Sequence, residues 1–308
     1  MIDKSYSNLG LSADDVRQIK KYNLSHVLDK IRDQQNQLKE HENQLQQALD
    51  KIEKDLAAAR DAQMSLLPKE LAGVPNVEFK ARFHPSQFVS GDIYNVFRLD
   101  EFNIGVYHID ISGHGVPAAL FSVSLSQMLN TNISKKNLLK VPVNKPPYYR
   151  INPPDKVIGI LNEDQSFEQN GIYFTMVYMI LNFRENMVRY ARAGHNPPVL
   201  IKANGDVFIT EEGSFPVGWD FPRDDKVVEF GLEGGSRIYM FSDGITEACN
   251  ASGELFTRER MIDILRENRH KSLDECLDLV ISGVRKFSGS DDFEDDVSIV
   301  GLSCRRPD

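Results

Sequence analysis

Four short motifs each place a carboxylate beside a glycine turn or at the end of an apolar strand. They are Ser90-Gly91-Asp92, Asp110-Ile111-Ser112-Gly113, Ser242-Asp243-Gly244 and Asp295-Asp296. A carboxylate at a strand end is a fixed oxygen ligand, and a neighbouring glycine lets the backbone approach closely. Oxygen ligands suit Mg²⁺ or Mn²⁺ better than Zn²⁺. Two such ions can share a water, lower its pKa and clamp a phosphoryl group, so the implied chemistry is hydrolysis of a phosphate ester.

A simpler interpretation exists for each motif, because Asp-Gly is a common turn dipeptide. Two of the aspartates are less easily explained as turn residues, because Asp110 and Asp243 directly follow apolar runs. The pair Asp295-Asp296 opens the last apolar run of the chain. Spacing by itself leaves both interpretations open, a metal site or a set of ordinary turns.

A long helix is the first element that the sequence predicts. Residues 14–66 contain neither proline nor glycine, and apolar residues recur every seven positions. This ladder consists of Leu24, Ile31, Leu38, Leu45, Ile52 and Ala59. It predicts a coiled-coil segment for dimerisation or signalling over residues 1–66. The alternative is a solitary helix packed on its own domain, and the polar seam residues Gln35 and Glu42 favour it.

Short runs rich in β-branched and aromatic residues follow Pro68, bounded by Gly, Pro, Asn or Asp. They predict strands at 77–83, 103–112, 172–181, 187–193, 198–203, 205–210, 226–232, 237–243 and 297–303. Helical patterns occupy 116–131, 153–165, 257–267 and 272–287. Because most strands follow one another directly, they favour antiparallel sheets with helices on their faces. Residues 67–308 are therefore predicted to form one α+β domain.

Composition excludes several classes of protein. The 308 residues have a formal net charge of −9, which argues against binding nucleic acid or an anionic membrane surface. The three cysteines form no CxxC pair, so neither a disulfide framework nor a zinc knuckle is indicated. No apolar run is long enough to span a membrane. These features predict a soluble cytoplasmic protein.

Eight motifs between about residues 60 and 303 together resemble a known family. They are Gln63…Leu66-Leu67-Pro68, Ser90-Gly91-Asp92, Asp110 to Ala119, Phe174-Thr175, Ala193 to Pro198, Pro216-Val217-Gly218, Ser242 to Ala248 and Asp295-Asp296. In this order they resemble the PPM-type metal-dependent protein phosphatases. Within that family they are most similar to the bacterial SpoIIE/RsbU-like branch, which regulates sigma-factor switches.

This resemblance implies a β-sandwich flanked by helices, an αββα arrangement, with two Mn²⁺ or Mg²⁺ ions at one edge. It implies that a metal-activated water hydrolyses phosphoserine or phosphothreonine on a partner protein, without a covalent phosphoenzyme. The substrate implied is a phosphorylated anti-sigma-factor antagonist of the STAS type. Four aspartates would be the metal-binding and catalytic residues, and these are Asp92, Asp110, Asp243 and Asp295.

The carbonyl of Ile111 is the implied backbone ligand, and Asp296 is the alternative to Asp295. Ser90 and Asn95 depart from the usual first motif of the family. The alternative function is accordingly a catalytically degenerate, phosphatase-like coiled-coil scaffold that binds a signalling partner.

Two further features have more than one interpretation. His114 and His195 lie in glycine turns, where either would donate a proton to a leaving oxygen or simply orient its turn. Residues 119–154 contain no acid, and their five basic residues are Lys135, Lys136, Lys140, Lys145 and Arg150. This segment would dock an acidic or phosphorylated partner, or it is a solvated, proline-rich connection.

Overall fold

The computed structural model describes residues 12–68, 77–133, 137–164 and 171–304. Its internal contacts divide the chain into two units, Met1–Leu56 and Ala57–Asp308. The boundary lies inside the first helix, ten residues before the end of the predicted segment 1–66, whose separate role stays a prediction. Within the described residues, no helix is both long and apolar enough to cross a lipid bilayer.

Helix α1 (Ala13–Met64) confirms the predicted long helix. Ser12 caps its first turn, because the Ser12 hydroxyl accepts from the Asp15 amide at 3.1 Å and the Asp15 carboxylate accepts from the Ser12 amide at 2.8 Å. The heptad residues are solvent-exposed in the single chain, with Leu38 69% and Leu45 63% exposed. The coiled coil itself stays a prediction.

Twelve strands and five further helices follow in the described residues. The strands are β1 (Val77–His84), β2 (Ile93–Arg98), β3 (Asn103–Ile111), β4 (Lys140–Pro142), β5 (Tyr149–Ile151), β6 (Phe174–Asn182), β7 (Met187–Ala193), β8 (Val199–Ile201), β9 (Val207–Phe208), β10 (Val228–Gly231), β11 (Arg237–Phe241) and β12 (Val297–Cys304). The helices are α2 (Val116–Met128), α3 (Pro154–Asp164), α4 (Asp243–Thr246), α5 (Arg258–Glu267) and α6 (Leu273–Ser288).

Two five-stranded antiparallel sheets form the centre of the second unit. One has the order β1-β12-β11-β8-β9 and the other β10-β7-β6-β3-β2. Helix α6 packs on β1 and β12 of the first sheet, whereas α2 and α3 pack on β3, β6 and β7 of the second. The predicted α+β sandwich flanked by helices is therefore confirmed.

Alternating burial explains why both faces of the first sheet are apolar. On β11, Ile238 and Met240 belong to the core shared with the second sheet, whereas Tyr239 and Phe241 belong to the core under α5 and α6. Full burial of one such side chain stabilises the fold by about 1.5–3 kcal/mol. Helix α6 is fixed at its start by a capping box between Ser272 and Glu275.

The structure adds three strands to the prediction. Strand β2 pairs with β3 along its whole length, although Asn95 and Arg98 interrupt its apolar pattern. Strands β4 and β5 form a hairpin in the segment 131–154, which the sequence suggested was a connection or a docking loop. The two strands have only three residues each, too few for a period-2 pattern to be recognised.

Candidate metal centre

Pairing of the strands brings the four predicted aspartates to one end of the sandwich, two from each sheet. Asp92 immediately precedes β2 and Asp110 is the penultimate residue of β3, and Ile93 pairs with Ile109. The antiparallel register therefore sets Asp92 opposite Asp110. In the other sheet, Asp243 follows β11 and Asp295 lies two residues before β12.

Electrostatic coupling links these carboxylates across the two sheets. Burial, together with the charges of Asp243 and Asp295, raises the pKa of Asp110 to about 8. Burial and the charge of Asp295 raise the pKa of Asp243 to about 6. Asp92 is 1% exposed, and its burial and the charge of Asp110 raise its pKa well above the ordinary value. Such shifts arise when desolvated like charges lie close together.

Hydrogen bonding separates the roles of the two adjacent acids at the start of β12. The Asp296 carboxylate is buried and accepts four hydrogen bonds, from the amide and hydroxyl of Ser86, the Ser90 hydroxyl and the Gly91 amide, at 2.6–3.0 Å. Asp295 is exposed, and its carboxylate accepts from the Asp296 amide at 2.7 Å. The Asp295 carboxylate consequently has fewer hydrogen-bond partners, whereas Asp296 holds the Ser90-Gly91 turn that precedes Asp92.

A buried polar group that sequence reasoning missed supports Asp92. The Ser298 hydroxyl contacts the Asp92 carboxylate and lies 2.9 Å from Nε2 of His108. Burial and the adjacent His195 keep the pKa of His108 well below its usual value, so the imidazole is neutral. A polar residue inside an otherwise apolar strand was the available signal for both His108 and Ser298.

The two histidines singled out by sequence differ in environment. Nδ1 of His195 lies 2.7 Å from the hydroxyl of Thr175, and burial, with a smaller effect of Arg192, lowers the pKa of His195 to about 3. A buried neutral imidazole fits the orienting role and not that of a proton donor at neutral pH. His114 is exposed on the Gly113–Gly115 turn, with Nδ1 3.1 Å from the Gln87 amide nitrogen.

Only part of the basic segment lies in described residues, because Lys135 and Lys136 fall outside them. Lys140 is 8% exposed on β4, and its ammonium lies 5.1 Å from the centre of the Tyr149 ring. Burial lowers its pKa. Lys145 and Arg150 are exposed. Lys140 thus stabilises the hairpin and is not available for docking.

The donors present fit a hard divalent cation. Within residues 12–68, 77–133, 137–164 and 171–304, no three Asp, Glu, His or Cys side chains form a ready-made metal cage. Mg²⁺ does not require one, because it keeps several waters and is usually bound by one or two carboxylates. The clustered, desolvated carboxylates provide oxygen donors and an excess of negative charge, which such an ion would neutralise.

Close packing keeps the aspartate motifs together. A Cβ atom at Gly244 would overlap the carbonyl oxygen of Asp296, so the turn after Asp243 reaches the start of β12 only with glycine. Beside this contact is a cavity of about 290 Å³, whose lining includes Glu247, Phe293 and Asp295. The site is therefore open to solvent on the Asp295 side.

Comparison with known proteins supports both the fold and the family resemblance. A family model described as "Stage II sporulation protein E (SpoIIE)" matches residues 100–305, more than half of the chain. Phosphoserine phosphatase RsbP of Bacillus subtilis is 25% identical over 243 residues, which are 74% of this chain and 57% of RsbP. Phosphoserine phosphatase RsbU of the same species is 26% identical over 249 residues, 79% of this chain and 69% of RsbU. The chain thus spans little more than half the length of RsbP.

Solved structures share the fold at lower identity. The SiaA-PP2C domain of Pseudomonas aeruginosa has a TM-score of 0.69 at 19% identity, covering 84% of this chain and 99% of that domain. The PP2C phosphatase domain of SpoIIE from Bacillus subtilis, solved with a fragment of its regulatory domain, has a TM-score of 0.62 at 21% identity. It covers 75% of this chain and 64% of that structure. The sandwich described above is therefore a PP2C-type fold.

Proposed function

The chain belongs to the SpoIIE family, and from that membership we propose that it is a Mg²⁺- or Mn²⁺-dependent phosphatase acting on phosphoserine or phosphothreonine in a partner protein. The observation that carries the proposal is the convergence of Asp92, Asp110 and Asp243 at one end of the sandwich, where burial and neighbouring acids raise all three pKa values. The names of the relatives RsbP and RsbU, both phosphoserine phosphatases, support the same activity.

The chain's own residues have distinct tasks in this proposal. Asp92, Asp110, Asp243, Asp295 and the carbonyl oxygen of Ile111 would hold two ions. When bound, the ions would lower the pKa of a water and clamp the phosphoryl group for in-line displacement. Ser298 keeps the Asp92 carboxylate oriented. The phosphorylated side chain would enter through the open cavity of about 290 Å³ beside Asp295.

For the substrate, we propose a phosphorylated anti-sigma-factor antagonist of the STAS type. This step rests on family analogy and not on the chemistry of the site. A degenerate scaffold would bind the same phosphoprotein without releasing phosphate.

The decisive experiment measures phosphate release from p-nitrophenyl phosphate and from a phosphoserine peptide. We expect release only with added Mn²⁺ or Mg²⁺, its loss with EDTA and its recovery when metal is restored. Folded protein that releases no phosphate under any metal condition would establish the scaffold and reject the enzyme.

The N-terminal helix is proposed to make the protein a homodimer. Its heptad residues remain exposed in the single chain, including Leu24, Leu38 and Leu45 at 61–69%. A parallel coiled coil would bury such a seam. We expect sedimentation equilibrium to give a dimer, and substitution of Leu38 and Leu45 by serine to give a monomer. A wild-type protein that sediments as a monomer at all concentrations contradicts this assignment.

A further inference from the structure

A partly exposed cluster of aromatic side chains lies next to the turn that follows Asp110 and has no role in the candidate metal centre. This aromatic cluster consists of Tyr173, Phe215, Trp219 and Phe221. Phe215 is 47% exposed and Phe221 is 52% exposed. Ring centres lie 5.0 Å apart for Phe215 and Phe221, and 5.6 Å apart for Trp219 and Phe221. Tyr173 joins through an edge contact with Trp219 at 5.4 Å.

Backbone hydrogen bonds connect the cluster to the aspartate motifs. The Tyr173 carbonyl accepts from the Ser112 amide at 2.9 Å, and the Tyr173 amide donates to the Ser112 hydroxyl at 3.2 Å. Ser112 is two residues after Asp110 on the same turn. One edge of the cluster is therefore attached directly to a predicted metal-binding turn.

The loop that carries three of these rings is held rigidly. Val217 and Phe174 exchange two backbone hydrogen bonds, at 2.9 and 3.0 Å. The largely buried Arg223 guanidinium donates to the carbonyls of Phe215 and Pro216 at 2.8 and 3.0 Å, and pairs with Asp225 at 2.7 Å. The backbone that carries the rings is thus fixed in place, which lowers the entropy lost when a partner binds this loop.

Charge around the cluster indicates what kind of partner fits. Residues 210–226 contain five acids and two basic residues, a net charge of −3, and the ion pair between Glu211 and Arg258 reduces this to −2. Asp220, between Trp219 and Phe221, is exposed, as is Asp224. Aromatic residues are favoured as central anchors of protein interfaces, and an acidic rim favours a basic partner.

We propose that the aromatic cluster docks an apolar and basic segment of the phosphoprotein substrate, next to its phosphorylated residue. This assignment rests on the proposed phosphatase function and adds to it a preference for sequence around the phosphoserine. The rings bind the apolar side chain, the acidic rim binds the basic one, and the phosphate reaches the neighbouring aspartates.

The test compares two short phosphoserine peptides, one flanked by leucine and lysine and the other by glycine and serine. The wild-type protein is expected to hydrolyse the leucine-lysine peptide with a kcat/KM higher by about tenfold, the effect of losing one interface anchor. Phe215→Ala combined with Phe221→Ala abolishes this preference. Phe102→Ala preserves it, because Phe102 is similarly exposed, at 42%, but precedes the opposite end of β3.

A second readout requires no turnover. Trp219 is the single tryptophan of the chain, so its fluorescence reports on the cluster directly, even in metal-free protein. The leucine-lysine peptide is expected to shift the emission and the glycine-serine peptide to leave it unchanged. The same shift must be lost in the double phenylalanine variant.

The outcomes separate this assignment from the phosphatase itself. Hydrolysis of both peptides with equal kcat/KM, or a preference that survives the double substitution, overturns docking while the phosphatase stands. A fluorescence shift without hydrolysis in the presence of saturating Mn²⁺ supports docking and rejects the enzyme. Conversion of a dimer to a monomer by the double substitution would make the cluster a self-association surface and also overturn the proposal.

Discussion

Asp110→Asn is expected to abolish metal-dependent phosphate release while leaving the protein folded. Asp110 is the carboxylate with the most neighbours of its own kind, since Asp243, Asp295, Asp296 and Glu247 all raise its pKa. Asparagine has nearly the same shape but no charge. Removing one preorganised electrostatic group from an active site typically lowers kcat by about 10²–10³-fold, and we expect at least that loss.

The fold should tolerate the substitution because the strand pairing of Asp110 uses its backbone, opposite Thr175 on β6. In metal-free protein at neutral pH the variant should even be more stable, since it removes a buried carboxyl group that must be protonated on folding. A general loss of structure would lower stability and activity together. The expected combination of lost activity and raised metal-free stability therefore identifies an electrostatic role.

A matched control is Asp291→Asn, which removes one charge from the exposed acidic run before β12. Its free energy of unfolding should stay within about 0.5 kcal/mol of wild type, as is usual for a surface substitution, and its metal-dependent activity should be retained. Both variants are assayed for phosphate release from p-nitrophenyl phosphate across a Mn²⁺ titration. Wild-type activity in Asp110→Asn at saturating Mn²⁺ would exclude Asp110 as a ligand.

Strands with one or two apolar faces could be predicted from the sequence, because their apolar residues form a recognisable pattern. Strands β3, β6 and β12 are nearly continuous apolar runs because both of their faces are covered. Strand β2 was missed because Asn95 and Arg98 break its pattern, and its identity depends on pairing with β3. Pairing is a tertiary property that a local pattern does not contain.

In the candidate site, too, local motifs could be predicted from sequence and tertiary contacts could not. Most of the aspartates lie in short motifs that contain glycine. Such motifs can be recognised without knowing which residues contact the aspartates. The contacts of Ser298 with Asp92 and His108 join residues 206 and 190 positions apart, and the bonds from Ser90 and Gly91 to Asp296 span similar distances. No local sequence pattern predicts these partners, so the hydrogen bonds that hold the aspartates can be identified only from the structure.

A divalent cation is expected to stabilise the folded protein, and the gain is expected to be larger at higher pH. In metal-free protein the folded-state pKa of Asp110 is about 8 and that of Asp243 about 6, both above the ordinary value of 3.8. Between the unfolded and folded values, the folded protein binds more protons than the unfolded chain. The contribution of these two groups to stability is therefore greatest at low pH and is lost as the pH rises toward about 8.

Metal reverses this loss because it binds the carboxylates in their ionised form and competes with protons. At a concentration of one hundred times its Kd, a ligand stabilises the folded state by about 2.7 kcal/mol. For a protein of this size each kcal/mol raises Tm by about 2–4 °C. Saturating Mg²⁺ should accordingly raise Tm by about 5–10 °C near neutral pH.

Thermal unfolding followed by circular dichroism in EDTA and in Mg²⁺, from about pH 6 to about pH 8, measures both effects. Wild type and Asp291→Asn should lose stability with rising pH in EDTA and show a Mg²⁺ gain that grows over the same range. Asp110→Asn should show a flatter profile in EDTA and a smaller Mg²⁺ gain, because the carboxylate with the pKa of about 8 is absent. A Mg²⁺ gain that is equal in all three proteins, or that shrinks as the pH rises, would mean that the ion binds elsewhere and that these aspartates do not form its site.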